Sequence, residues 1–159
     1  MRAYPVSHEI LRKPVVTDRF TFSGKARIIK ISEDTNAIAD SLTACKFTFF
    51  AAGLEEYALA LSGVTGVDFT ARDLSLAGER ICYNERIMNA RNGFDRDDDR
   101  LPSRFHELPG SSGEGIDVPP IDRGAFGEAL SNYYVVRGLD AAGRPTAERA
   151  RELELQWRR

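Results

Sequence analysis

Cysteine and histidine are scarce in this chain of 159 residues. It contains two cysteines, Cys45 and Cys82, and two histidines, His8 and His106. Two cysteines far apart in sequence do not make a disulfide framework, and such low usage favours a reducing compartment such as the cytoplasm. A metal site built from histidine and cysteine would have very few residues to draw on. A self-contained enzyme is compatible with these counts, but nothing in the composition indicates one.

Long apolar runs and an excess of either charge are also absent. The chain has 22 Lys and Arg against 24 Asp and Glu, a net charge of -2, so no nucleic-acid partner is predicted. It has no run of about 18 apolar residues, so no membrane-spanning helix is predicted. The first eight residues lack the apolar segment of a secretory signal. The hydrophobic share of 42% and the charged share of 29% are typical of a globular protein.

What the sequence does have is helical periodicity, with apolar residues recurring at spacings of three and four. The predicted helices run from about Lys25 to about Leu42, from Leu54 to Gly63 or Gly66, from the Thr70 cap to about Asn92, from 121 to 137, and onward from the Thr146 cap. Leu74, Ile81 and Met88 are placed on the buried side of the longest helix. We predict an all-α fold, a compact antiparallel multi-helix domain spanning residues 1–159 with an irregular lead-in over residues 1–24.

Residues 93–120 are different in kind and are predicted to form one long irregular loop. The stretch holds four of the seven prolines and an acidic run over residues 95–99. The alternating aspartates are spaced as in an EF-hand loop, but Arg100 and His106 stand where the required glycine and glutamate would be. We therefore interpret the run as a solvated loop.

Cys45 continues the apolar stripe of the first predicted helix, which includes Ile31, Ile38 and Leu42. A cysteine on such a stripe most often packs as a small core side chain. The functional alternative is a thiolate ligand of an iron–sulfur cluster, but clusters need several cysteines at short spacings, and no Cys-x-x-Cys is present. A complete cluster site in this chain is therefore excluded, whereas a contribution of Cys45 to a shared cluster stays open.

Asp40 lies next to the same stripe, where a buried carboxylate would be costly. One interpretation is that Asp40 faces water on the opposite side of the helix. In a continuous helix the five residues from Asp40 to Cys45 turn by about 500°, so the two side chains would point apart. They can contact one ligand only if the helix ends between them.

Five stretches together resemble the C-terminal region of the tungsten-containing aldehyde ferredoxin oxidoreductases, in family order. They are residues 2–7, residues 40–47, residues 77–81 with 84–86 and 89–94, residues 99–102, and residues 133–134 with 137–140 and 143–146. The second stretch is similar to the family motif Asp-x-x-Gly-Leu-Cys. It departs from that motif at Thr43 and Ala44, where the family commonly has Gly-Leu or Gly-Val.

The resemblance implies roles for three residues. In the family, the motif aspartate binds one of two pterins that chelate tungsten, and the cysteine is the fourth ligand of a [4Fe-4S] cluster. Carried over, Asp40 is the pterin contact, Ala44 is a backbone neighbour of the pterin, and Cys45 is the cluster ligand and sole metal ligand. The other three cluster cysteines would lie in an earlier domain.

The resemblance also implies what lies outside these residues. Family members are several times longer, with an N-terminal domain that cradles the metallopterin and a middle domain that carries a cysteine triplet. We expect these domains as partners and ferredoxin as electron acceptor, with the isolated chain inactive and without bound cofactor. No catalytic residue is assigned, and His8 is not the family's active-site histidine.

The alternative hypothesis is a stand-alone helical protein-interaction module derived from that domain. The aldehyde, the choice between tungsten and molybdenum, and the presence of a homo-oligomer are left open.

Overall fold

The computed structural model describes residue 18, residues 20–111 and residues 117–157. Within these ranges the chain forms six α-helices, one 3₁₀ helix and one pair of two-residue antiparallel strands. The elements, in chain order, are α1 (Lys25–Ser41), the 3₁₀ helix (Lys46–Phe50), α2 (Leu54–Thr65), α3 (Ala71–Arg91), α4 (Arg104–Glu107), β1 (Gly110–Ser111), β2 (Asp117–Val118), α5 (Arg123–Arg137) and α6 (Ala147–Glu152). The predicted all-α fold is confirmed.

The helix ends follow the capping chemistry of the sequence. Thr70 caps α3 by accepting a bond from the Asp73 N–H at 3.2 Å, while the Asp73 carboxylate accepts the Thr70 N–H at 2.8 Å. This reciprocal pair is a capping box. Thr146 caps α6 through the Arg149 N–H, as predicted. Gly138 ends α5 in the left-handed conformation, with φ 75°.

The core consists of two clusters, and the long helix α3 contributes to both. The first lies where α3, α5 and α6 meet, around Tyr83 and Tyr134. The second lies between α1, α2 and α3, around Leu54 and Leu74. Helix α1 packs most extensively on α3 and next on α5. The side of the molecule formed by α1, α3 and α5 positions the candidate site.

The placement of Met88 on the buried side of α3 is wrong. Met88 is 47% exposed, whereas Tyr83 is fully buried. The Tyr83 hydroxyl donates to the Gly138 carbonyl oxygen and accepts the Thr146 N–H, at 2.9 Å in each case. Because α3 must face α5 and α6 as well as α1, its buried face is wider than a single apolar stripe.

The loop over residues 93–120 contains more order than the sequence indicates. Helix α4 and the β1–β2 pair lie inside it. The Arg96 N–H donates to the Ala142 carbonyl oxygen at 2.9 Å, and its guanidinium donates to the Gly127 carbonyl and the Ser131 hydroxyl at 3.0 Å each. The beginning of the loop is therefore attached to α5 and to the turn that follows it.

The predicted lead-in over residues 1–24 falls mostly outside the described residues, and residues 20–24 precede α1 without forming a helix or a strand. The single-domain assignment for residues 1–159 stays a prediction. Among the described helices, none has the length and apolarity that crossing a membrane requires.

Candidate functional site

The predicted site lies at the turn where α1 ends. The Thr43 N–H donates to the Asp40 carbonyl oxygen at 3.1 Å, and the Ala44 N–H donates to the Ala39 carbonyl oxygen at 2.9 Å. These two bonds form a Schellman motif, in which the residue after the cap adopts the left-handed conformation. Here that residue is Thr43, with φ 52°. The chain thus reverses direction between Asp40 and Cys45.

Asp40 and Cys45 can contact one ligand only if the helix ends between them. Helix α1 does end there, at Ser41. Asp40 and Cys45 are both exposed. The Asp40 carboxylate pairs with the Lys46 ammonium at 3.2 Å, with 65% and 54% of the two side chains exposed. The interpretation of Asp40 as a surface carboxylate is therefore confirmed for this structure.

Cys45 precedes the 3₁₀ helix and lies outside α1. Its carbonyl oxygen accepts the Thr48 N–H at 2.9 Å and the Thr48 hydroxyl at 2.6 Å, which anchors the backbone and leaves the thiol exposed. The interpretation of Cys45 as a core side chain is wrong, because the helix ends before the apolar stripe reaches it. An exposed thiol on an anchored backbone can act as a ligand.

Cys82 differs from Cys45 in its surroundings. It lies half-buried in α3, and burial raises the pKa of its thiol to about 12, with Asp34 adding to the rise. A thiol with a raised pKa holds its proton at neutral pH and is a poor metal ligand. Among the described residues, no group of three or more His, Cys, Asp or Glu side chains converges to hold a metal ion. Cys45 is thus the exposed thiol at the turn.

The aromatic patch beyond Cys45 is partly exposed. Phe47 is 76% exposed, whereas Phe49 packs on Tyr57 with a ring-centroid distance of 4.6 Å. The side chain of Phe50 lies outside the described residues. Phe47 therefore adds an apolar side chain to the exposed surface around Cys45.

A cleft of about 340 Å³ adjoins Asp40 and is lined also by Glu33, Cys82, Tyr133 and Arg137. Arg137 is 2% exposed. Its guanidinium donates to Glu33 at 2.5 Å, and Tyr133 donates to the same Glu33 oxygen at 2.7 Å. Burial raises the pKa of Tyr133. Burial lowers the pKa of Arg137, but interactions with Tyr133 and Asp34 outweigh that effect and raise it. The periodicity of the sequence does not reveal this network, and its only signal in the sequence is the Tyr-Tyr and Arg-Gly-Leu-Asp stretches.

Other residues of the resembling stretches lie together in a structural clamp. Arg86 binds Asp99 through two guanidinium nitrogens and donates from Nε to the Gly143 carbonyl oxygen at 2.7 Å. The Tyr134 hydroxyl donates to Asp99 at 2.6 Å. Burial alone would raise the pKa of Asp99. The hydrogen bonds from Arg86 and Tyr134 have the larger combined effect, so the pKa lies below its ordinary value. These residues fasten the start of the loop, and Arg86 also lines the small cleft beside Asp40.

A larger groove of about 1190 Å³ runs between residues 20–27, residues 118–122 and one face of α5. Asp40, Ala44 and Cys45 do not line it. The candidate site is accordingly the turn at the end of α1, together with the small cleft beside Asp40.

Comparison of the sequence with known proteins identifies the family. A family model described as aldehyde ferredoxin oxidoreductase, domains 2 and 3, matches residues 1–155. The chain belongs to the aldehyde ferredoxin oxidoreductase family. It is 35% identical over 155 residues to a tungsten-containing aldehyde ferredoxin oxidoreductase of Thermococcus kodakarensis, and 35% identical over 157 residues to that of Pyrococcus furiosus. Each match covers 96% of this chain and 25% of the relative, so the chain spans about a quarter of the length of these relatives.

The fold also occurs in a solved structure, that of the active-site complex BamBC of benzoyl-coenzyme A reductase with 1,5-dienoyl-CoA. The TM-score is 0.69 at 20% identity, and the match covers 88% of this chain and 20% of that chain. At this identity the likeness shows the fold alone.

The left-handed turn explains the glycine of the aldehyde ferredoxin oxidoreductase motif. Glycine adopts positive φ without steric cost, whereas a β-branched residue there is an outlier. In this chain Thr43 occupies that position and still adopts φ 52°. In this chain, Thr43 therefore forms a turn that glycine would form without strain.

Proposed function

We propose that this chain forms the region of a tungstopterin aldehyde:ferredoxin oxidoreductase that supplies one pterin contact and one cluster ligand. The observation that carries the proposal is the exposure of Asp40 and Cys45 on either side of the turn that ends α1. A free cysteine is usually buried, whereas an aspartate is exposed in most proteins, so the exposed Cys45 thiol is the more informative of the two observations. Both side chains face outward, where a cofactor held by another part of the enzyme can reach them.

The residues present fit the cofactors in number and chemistry. Cys45 supplies one thiolate, and clusters generally require several, so the other three cysteines come from the remainder of the enzyme. The relatives are about four times as long as the matched region, which leaves ample length for such a domain. The free cysteines agree with a reducing, cytoplasmic location.

Asp40 and Ala44 supply the contacts to the pterin. The Asp40 carboxylate accepts hydrogen bonds from N–H groups of a pterin ring, and an ionised acceptor makes such bonds stronger. The Ala44 N–H is bonded to the Ala39 carbonyl oxygen, so the backbone group that we assign to the cofactor is the Ala44 carbonyl oxygen. The Schellman turn keeps both groups on the same exposed segment.

When bound, the tungsten or molybdenum pterin and the [4Fe-4S] cluster supply the redox chemistry that oxidises an aldehyde to a carboxylic acid and delivers electrons to ferredoxin. Within that reaction this chain binds and orients the groups. Asp40 holds the pterin edge, Cys45 anchors the cluster, and Phe47 excludes water from the surface that the rest of the enzyme covers. The chain alone does not catalyse the reaction.

The test compares the two cysteines in the complete polypeptide that contains this region. We expect Cys45→Ala to lose or degrade the cluster, measured as the visible absorbance and the electron paramagnetic resonance signal of the reduced protein. Cys82→Ala is the matched control, because Cys82 is a half-buried thiol in α3. It should keep the cluster and lower stability by only about 1 kcal/mol.

An unaltered cluster spectrum in Cys45→Ala would contradict the proposal. The same result would favour the alternative, a helical interaction module in which Cys45 has no ligand role. Asp40→Asn provides an independent check, since removal of the charge should reduce pterin retention while the helical circular dichroism spectrum stays the same.

A further inference from the structure

We propose that Lys46 is a positioning residue for both cofactors, because its ammonium group holds the Asp40 carboxylate and because Lys46 directly follows the Cys45 ligand in the chain. The inference rests on the proposed function of Asp40 and Cys45. Lys46 contacts neither the substrate nor the reacting atoms. Its role is to hold the Asp40 carboxylate in position for the pterin and to add a positive charge next to Cys45 in the chain.

The ion pair joins the two sides of the turn. The Lys46 Nζ atom lies 3.2 Å from Oδ2 of Asp40, although α1 ends at Ser41 between the two residues. The pair therefore does not belong to one helix face. It links the last turn of α1 to the start of the 3₁₀ helix, and so links the pterin contact to the cluster ligand.

The neighbouring hydroxyls do not compete for the carboxylate. Ser41 Oγ donates to the Ala37 carbonyl oxygen at 2.8 Å, and Thr43 Oγ1 donates to the Leu42 carbonyl oxygen at 2.7 Å. Within the described residues, Oδ1 of Asp40 accepts no hydrogen bond. Lys46 thus pairs with Oδ2, and Oδ1 is available to accept a hydrogen bond from a ligand.

Burial in the complete enzyme would strengthen this ion pair. Both side chains are more than half exposed in the chain, where an ion pair contributes little to stability. When the cofactor and the rest of the enzyme cover the turn, the local dielectric constant falls and the attraction between the charges increases. Removal of Lys46 would then leave the Asp40 charge covered without a counter-ion, which is costly.

The same ammonium group acts on the cluster. Lys46 directly follows Cys45 in the chain, and consecutive Cα atoms are about 3.8 Å apart, so its charged side chain starts from the residue next to the cluster ligand. The net charge around an iron–sulfur cluster is one of the factors that set its reduction potential. A positive charge stabilises the reduced, more negative state. Loss of Lys46 should therefore shift the midpoint potential of the cluster to a more negative value.

The experiment uses Lys46→Met, Lys46→Arg and Asp40→Asn in the complete polypeptide, with Lys25→Met as the matched control. Lys25 begins α1, about 22 Å along the helix axis from Asp40. The readouts are tungsten and pterin per polypeptide, and the midpoint potential from a redox titration followed by electron paramagnetic resonance. We expect Lys46→Met to retain several-fold less pterin and to show a more negative potential. Lys46→Arg should restore both, and Lys25→Met should behave as the unmodified protein.

The outcomes separate this proposal from the proposed function. If Lys46→Met keeps the pterin content and potential while Asp40→Asn loses the pterin, the role of Lys46 is wrong and the function of Asp40 stands. If Asp40→Asn and Lys46→Met both keep the pterin, the pterin role assigned to Asp40 is wrong. If Lys46→Met melts well below Lys25→Met in the 159-residue chain, Lys46 is a structural residue and the positioning role is overturned.

Discussion

At the scale of single residues, the turn that ends α1 depends on one strained backbone position. Thr43 is one of two non-glycine residues with positive φ among the described residues, together with Glu154. A left-handed conformation brings Cβ close to the following carbonyl oxygen, at a cost of roughly 1–2 kcal/mol. The strain persists because the two Schellman hydrogen bonds hold the turn on either side. Backbone strain of this kind tends to accompany functional segments.

We expect Thr43→Gly to raise the free energy of unfolding of the 159-residue chain by about 1 kcal/mol, because glycine adopts positive φ without the Cβ contact. Urea denaturation followed by circular dichroism measures the change. Ser41→Gly is the matched control at the last position of α1, where helical φ and ψ make glycine unfavourable by about 0.5–1 kcal/mol. Equal destabilisation by both substitutions would show that Thr43 is not strained.

At the scale of secondary-structure elements, the close approach of α1 and α3 depends on Gly78. A Cβ atom at this position would lie 2.2 Å from the backbone carbonyl oxygen of Asp34, well inside van der Waals contact. The obstacle is backbone, so a side-chain rotation cannot relieve it. Since α1 ends at the candidate site, the Gly78 contact also determines where that end lies relative to α3.

We expect Gly78→Ala to lower the free energy of unfolding by about 1–3 kcal/mol, because the helices must move apart. Gly63→Ala is the control within α2, where an added Cβ meets nothing within 4 Å. That substitution should stabilise the chain by about 0.5–1 kcal/mol through helix propensity. Thermal and urea unfolding of the two variants should therefore shift in opposite directions, and a shift of both in the same direction would contradict the packing argument.

At the scale of the whole molecule, a network of buried ion pairs joins four helices. Arg137 of α5 binds Asp34 of α1 at 2.5 Å, and Lys30 of α1 binds both Asp34 at 2.8 Å and Glu79 of α3 at 2.7 Å. Arg149 of α6 completes the network by pairing with Glu79. A buried charge without its partner is strongly destabilising. The network therefore requires all four helices to be in place together.

Acid should weaken the fold through Glu79. Burial alone would raise the pKa of this carboxyl. The hydrogen bonds from Lys30 and Arg149 have the larger combined effect, so the pKa lies below its ordinary 4.5. A carboxyl with a lowered pKa in the folded state contributes stability that is complete above the unfolded pKa. That contribution is lost as the pH falls below about 4.5 towards the folded pKa.

We expect the unfolding free energy of the unmodified chain to decline as the pH falls below about 4.5, measured by urea denaturation at a series of pH values. Glu79→Gln should cost about 1.5–3 kcal/mol at neutral pH and flatten that decline. Glu148→Gln, at an exposed position of α6, is the control and should leave the pH profile unchanged. An equally steep decline in Glu79→Gln would assign the acid sensitivity to other carboxyls.

Much of the helical fold could be predicted from the sequence because its signals are local. Periodic apolar residues located the major helices, and Thr70 with Asp73 identified the start of α3 through a cap that involves only neighbouring residues. The resembling stretches led to the family that the comparisons confirm over residues 1–155. Asp40, Ala44 and Cys45 were nominated as site residues from the motif, and their cofactor roles remain predictions.

By itself, then, the sequence predicted the five major helices, the caps at Thr70 and Thr146, the family and a helix end close to Asp40. Only the tertiary structure decided which of these side chains are buried and which are exposed. Arg137 is enclosed because it meets Asp34, 103 residues away in the chain, and periodicity carries no information about such a partner. Cys45 is exposed because the left-handed Thr43 turns the chain away before the apolar stripe reaches it. Burial depends on where distant elements pack, whereas capping and periodicity depend only on neighbours.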